Sequence, residues 1–255
     1  MKIISLTTLL LTLVFQNCCM SADENSPLLA GTATVDITPA EPIRLNGFGG
    51  RRQESQGIRQ RLFARALACG RTASDTVIIL TVDTLGIPDE LSQRVWQNVA
   101  QKTQIPRENL AICATHTHSA PMIVGCANTL FGTPIPADHW QRIVAYTAFL
   151  EKQLVDAAVS AFRNRQPAVL SWGIGTVGFA ENRRTPRGPV DHRLPLLAVH
   201  SPDGTLRSVL VSYACHCVTL SDNLVSGDWA GYAAEHLQRL YPSCQPMIAI
   251  GCGAD

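Results

Sequence analysis

The 255-residue chain is 46% apolar, enough to bury one substantial core, and no linker, repeat or low-complexity tract divides it. Its 21 lysines and arginines balance 20 aspartates and glutamates, so the net charge near +1 argues against a broad surface for nucleic acid or an anionic membrane. The dense basic cluster Arg183, Arg184 and Arg187 is short enough to read as a solvated loop.

In chain order, the first segment has Lys2, an apolar run from Ile3 to about Phe15, small Ser21 and Ala22, then acidic Asp23 and Glu24. That order predicts a secretory signal peptide over 1–22, with residues 23–255 as the mature domain. The run is short of the roughly 20 apolar residues that a transmembrane helix needs, and no later segment approaches that length. An exported protein, periplasmic or extracellular, is expected. Lipoprotein anchoring through Cys18 or Cys19 is the lesser alternative, because "VFQNC" lacks the small residues that usually precede a lipidated cysteine. Cleavage leaves Cys69, Cys113, Cys126, Cys215, Cys217, Cys244 and Cys252. Seven cysteines in so apolar a chain read mainly as small buried hydrophobes, and the sequence assigns no pairing.

Beyond the leader, apolar β-branched runs predict strands at 28–38, 61–69 and 75–84. Pro88, early acidic residues and Leu91, Val95 and Val99 at fourfold spacing predict an amphipathic helix over 88–103. A strand at 108–116, a long helix over about 138–164 and a strand at 167–175 follow. Within the last lies Gly173-Ile-Gly175-Thr-Val-Gly178, which matches GxGxxG. The following "FAENRRTPRGP" is no helix, so nothing would hold a pyrophosphate, and the glycines read as a bend or bulge. Residues 194–216 read as two strands joined by Ser201-Pro202-Asp203-Gly204, 230–241 as a helix, and "PMIAI" as a last strand entering a glycine-rich loop. This mixture predicts an α/β fold of layered, mixed β-sheets flanked by helices.

The candidate chemistry lies at strand ends. In "ATHTHSAP", extended backbone would put His116 and His118 on one face, because side chains repeat every two residues. "SYACHCVTL" places His216 late in another strand, with Cys215 and Cys217 facing away from it. Imidazoles on loops held by a rigid sheet suit a metal, zinc first among them. Spacing alone leaves a metal site and a polar strand end both open.

The chain resembles the N-terminal catalytic domain of the neutral, non-lysosomal ceramidases, in motifs that keep their order along nearly all of the mature sequence. These are "AGTATVDITP", "LNGFGG", "GIRQRLFARALAC", "VIILTVD", "ATHTHSAP" for a THTHSGP-like segment, "ENRRTP" for an NRSP-like one, "VDHRLPLLAVHSPDG", "VLVSYACH", and "NLVSGDWAGYAAEHLQ" for SGDNxGYA. The resemblance implies a ceramidase-like α-β-β-α domain and a zinc-dependent hydrolase that splits ceramide or a related N-acyl lipid into fatty acid and sphingoid base or amine. It implies His116 and His216 as zinc ligands, His118 at the reacting amide, and Arg183 at a substrate oxygen. Asn182, Ser226 and Asp228 match further positions assigned to substrate binding. The residues themselves also allow His118 to orient a ligand and Arg183 to pair with Asp191. The resemblance further implies two more zinc ligands, a glutamate and a tyrosine, and a functional serine in a GDVSPN-like segment, all downstream of Asp255. The chain therefore reads as the N-terminal part of such a domain. Its expected partner is a small lipid or N-acyl amide, with no nucleic acid. The alternative is an exported, catalytically silent fold that binds metal or a lipid-like ligand.

Overall fold

The computed structural model describes residues 27–253, so the predicted signal peptide lies outside the described residues. Strand β1 (Leu29–Asp36) pairs antiparallel with β2 (Phe63–Gly70), and β2 with β3 (Val77–Val82). Helix α1 (Asp89–Thr103) then crosses over to β4 (Leu110–Ala114), which runs parallel to β3, as a helical crossover permits. After helix α2 (Ala137–Arg163), the two-residue β5 (Gln166–Pro167) closes the other edge, giving the order β4-β3-β2-β1-β5.

The second sheet has the order β6-β7-β8-β9, with β6 (Val169–Thr176), β7 (Arg193–His200), β8 (Leu206–Tyr213) and β9 (Gln245–Ile250). Its β7–β8 hairpin turns where the sequence predicts. Gly204 takes a φ of 89°, a left-handed value that costs glycine least, and its N–H donates to Ser201 O at 2.9 Å. Helix α3 (Asp228–Leu240) crosses back so that β9 adds parallel to β8.

Side-chain burial stacks these elements into four layers. Leu91, Val95 and Val99 of α1 and Leu150, Leu154 and Ala158 of α2 pack on Ile78, Leu80, Val82 and Ala66 of the first sheet. Gly31 lets α2 approach β1, since a Cβ there would lie 2.2 Å from Ala161 O. The inner faces of the sheets meet through Leu67, Val199 and Met247, and α3 covers the far face of the second sheet through Ala230 and Ala234 against Val211 and Ile248. The result is the expected layered α/β arrangement, helices outside and two mixed sheets within. Among the described residues no helix is long and apolar enough to cross a membrane.

Two local expectations differ. No helix follows the GxGxxG run, as expected, and irregular backbone spans Val177 to His192, but Gly173 and Gly175 pair in unbroken register with Leu196 and Leu194 instead of marking a bend or bulge. The strands carrying the histidines end early, at Ala114 and Tyr213, which leaves His116, His118 and His216 on the loops beyond them.

Candidate metal centre

The three loop histidines converge at the ends of β4 and β8. His118 Nε2 lies 3.4 Å from His116 Nε2 and 3.0 Å from His216 Nε2, and one nitrogen from each ring falls within 4.8 Å of the others. Strand alternation is not the cause. His116 has a φ of 58°, so the backbone turns left-handed at the first histidine and brings both rings to one point. The thiols of Cys215 and Cys217 stay outside this cluster, as the sequence reading expects: Cys217 is buried against α3, and Cys215 Sγ lies 3.7 Å from His216 O.

Backbone carbonyls meet two of the outer nitrogens. His116 Nδ1 is 2.7 Å from Leu85 O and His216 Nδ1 is 3.2 Å from Gly253 O. A carbonyl only accepts, so His116 Nδ1 carries the proton and its Nε2 turns a lone pair toward the common point. Arg183 Nη2 stands 3.1 Å from the same His216 Nδ1. A guanidinium only donates, so Arg183 and the Gly253 carbonyl compete for this nitrogen, which carries a proton when it pairs with the carbonyl and a lone pair when it pairs with Arg183.

His118 is held differently. Its ring packs on Gly47, where a Cβ would come within 2.4 Å of its Cγ, and edge-on to Phe48 at a centroid distance of 5.1 Å. Arg51 donates to the carbonyl of His118, to Asn46 O at 2.9 Å and to Asp222 O at 2.6 Å, joining three loops behind the ring. Burial, and then the neighbouring rings of His116 and His216, push the His118 pKa down to about 4. Burial followed by His116 and Arg183 also lowers that of His216. Neutral imidazole is the form that binds a metal, so the donor set fits a divalent cation of borderline softness.

An open cavity of about 630 Å³ adjoins the cluster, bordered by Asn182, Arg183, Asp191, Cys215, His216 and Gly253. Asp191 pairs with Arg193 at 2.8 Å, which leaves Arg183 facing the cavity. Asn182 shapes the same wall: its Oδ1 accepts from the N–H groups of Arg184 and Thr185 at 3.1 and 2.9 Å, and its Nδ2 donates to Pro189 O at 3.2 Å.

Ser226 and Asp228 lie beneath the site and are fully buried. Asp228 accepts from the N–H groups of Thr219, Leu220 and Trp229 and from Thr219 Oγ1, so its charge is spread over four donors at the start of α3. Ser226 Oγ accepts from the Asp228 N–H at 3.0 Å, and its carbonyl accepts from Thr117 Oγ1 at 2.8 Å. Through that bond the residue between the two histidines is tied to the N-terminus of α3. The sequence signals pick out the three histidines and Arg183. They miss Arg51 and Gly47, whose only trace is the glycine-rich run before two arginines, and the carbonyls of Leu85 and Gly253, which leave no trace in residue type.

Comparison with known proteins gives a consistent result. Residues 28–245 match the family model described as neutral/alkaline non-lysosomal ceramidase, N-terminal. The chain is 25% identical to neutral ceramidase A of Dictyostelium discoideum over 97% of its own length and 38% of that protein. It is 26% identical to the neutral ceramidase of Mycobacterium tuberculosis over 83% of the chain and 36% of the relative. The crystal structure of neutral ceramidase from Pseudomonas aeruginosa superposes with a TM-score of 0.74 at 22% identity, covering 89% of this chain and 39% of that one. The chain thus spans somewhat more than a third of the length of these relatives.

Proposed function

Because the chain belongs to the neutral/alkaline non-lysosomal ceramidase family, we propose that its histidines hold a zinc ion at which an N-acyl amide bond, that of ceramide or a related lipid, is hydrolysed. The observation that carries this reading is the convergence of three imidazoles whose outer nitrogens are committed to backbone carbonyls or buried. His116 and His216 are the proposed ligands through Nε2. When bound there, zinc supplies Lewis acidity to an amide carbonyl and makes water acidic enough to act at neutral pH.

The chain's own groups would do the rest. His118, kept neutral and pinned by Gly47, Phe48 and Arg51, is placed to take a proton from water and return it to the leaving amine. Water adds to the carbonyl carbon, the C–N bond breaks, and carboxylate and amine leave. Arg183, at the cavity wall beside His216, would donate to the oxyanion as charge builds there. Asn182 holds the loop that presents Arg183, while Ser226 and Asp228 fix Thr117 and the start of α3, so these three act by positioning. The leader-like composition of 1–22 supports export, with hydrolysis outside the cytoplasm.

Metal content and turnover of a fluorescent N-acyl sphingosine test this reading together. Wild type should retain zinc through dialysis, and His116→Ala and His216→Ala should lose both metal and turnover. Arg183→Ala and His118→Ala should keep the metal and lose turnover, the arginine change by about 10²- to 10³-fold. A folded wild-type chain that binds no zinc and turns over no substrate would sink the proposal and leave a silent fold.

A further inference from the structure

The last register pair of β8 and β9 is Tyr213 with Ile250, and the two chains stay side by side as they leave the sheet. The Gly251 N–H donates to Tyr213 O at 3.0 Å, a Cβ on Gly251 would lie 3.5 Å from Ala214 Cα, and a Cβ on Gly253 would lie 2.5 Å from Cys215 N and 2.9 Å from Cys215 Cα. Both neighbours of Cys252 thus touch the 214–215 segment. With successive Cα atoms about 3.8 Å apart, Cys252 is held beside the segment that carries Cys215, at the ends of two adjacent strands.

Both thiols border the same cavity, Cys252 is exposed, and the sulfur of Cys215 makes only a long contact with a carbonyl. The other described cysteines are placed otherwise. Cys69 and Cys113 sit in strands of the first sheet opposite Val77 and Thr81, Cys126 packs against the core beside that sheet, and Cys217 and Cys244 are buried.

We infer that Cys215 and Cys252 form a reversible disulfide across the ends of β8 and β9, a covalent staple at the mouth of the histidine cavity. The oxidant is a low-molecular-weight disulfide. The exposed Cys252 thiolate attacks one of its sulfurs and expels a first thiolate. Cys215, having given up its proton, then attacks the mixed disulfide at Cys252 and expels the second. Two protein thiols are oxidised, one small disulfide is reduced to two thiols, and two protons pass to solvent and the leaving thiolates. The staple holds Gly253, whose carbonyl accepts from His216 Nδ1, against the loop that carries His216. It needs neither metal nor hydrolysis, so it stands or falls apart from the proposed activity.

The full chain equilibrated with oxidised glutathione, alkylated and mapped by mass spectrometry tests it. The expected product is a peptide linking Cys215 to Cys252, with two fewer alkylated thiols, restored by dithiothreitol. Cys215→Ser and Cys252→Ser should each abolish that peptide and leave the remaining cysteine as a glutathione adduct. The oxidised wild type should melt above the reduced form, a difference absent from Cys252→Ser. Alkylation of both thiols in a folded, equilibrated sample, or a linkage of Cys252 to any other cysteine, overturns the assignment.

Discussion

The five-stranded half of the molecule is packed between α1 and α2, of 15 and 27 residues, and the opposing sheet. The four-stranded half carries one 13-residue helix and leaves Ile174, Phe179 and Tyr241 more than half exposed. Beside α3 an apolar cavity of about 420 Å³ runs along the second sheet, lined by Leu194, Leu196, Val209, Trp229 and Leu237. The histidine centre draws from both halves: His116 and His118 follow β4, while His216 and Arg183 belong to the lighter half. Stability and site geometry are therefore separable. The first half can stay folded under changes that disturb the second half's share of the centre, and the reverse should not hold.

That comparison is open to test. The largest expected contrast is between equal truncations in the two halves. Leu80→Ala empties a fully buried position and should cost about 3 to 5 kcal/mol, whereas Leu196→Ala borders an existing cavity and should cost about 1 kcal/mol. Equal shifts in urea midpoint would mean that the halves are equally packed.

Next comes overpacking. Gly31→Ala drives a Cβ into the backbone of α2 and should cost on the order of 3 kcal/mol. Gly175→Ala meets nothing closer than 3.9 Å and should stay within about 0.5 kcal/mol. Thermal midpoints of the pair report this directly, and a large loss at Gly175 would contradict the loose packing of β6.

The smallest contrast is acid-dependent. Burial raises the Asp36 carboxyl, but hydrogen bonds from Thr38 and the Arg61 guanidinium outweigh it and hold the group below its ordinary value. A depressed folded pKa gives stability that is complete above the unfolded value, about 3.9, and is lost as pH falls through the folded one. Asp36→Asn should therefore lower stability at neutral pH by less than about 1 kcal/mol, converging with wild type in strong acid. The Asp191 carboxyl, held at about 2 by Arg193, is fully exposed, and Asp191→Asn should leave the urea midpoint unchanged. A pH-independent difference at Asp36 would assign its effect to packing.

Much of this was legible in the sequence. The apolar runs at 61–69 and 75–84 and the fourfold spacing of Leu91, Val95 and Val99 mark β2, β3 and α1, because period and burial coincide there. The two-residue β5 was not legible, since its pairing with Leu29 and Ala30 is set by where α2 delivers the chain. Nor was the division of the nine strands among the described residues into two sheets, which depends on long-range contacts such as Leu67 with Met247. At the centre the histidine pair stood out by spacing, yet its convergence comes from the left-handed backbone at His116, which residue type does not announce. An ion pair of Arg183 with Asp191 was the alternative to a role at the substrate, and Arg193 takes that carboxylate instead.

Leu85 and Gly253 orient two of the three histidines with main-chain oxygen alone. No side-chain replacement at Leu85 deletes its acceptor, whereas Gly253→Ala would drive a Cβ to 2.5 Å from Cys215 N and shift the loop that presents the other. The aim of the rings is encoded in the path of the chain. Residue type can thus change at Leu85 with the acceptor kept, while position 253 holds its acceptor in place only as glycine.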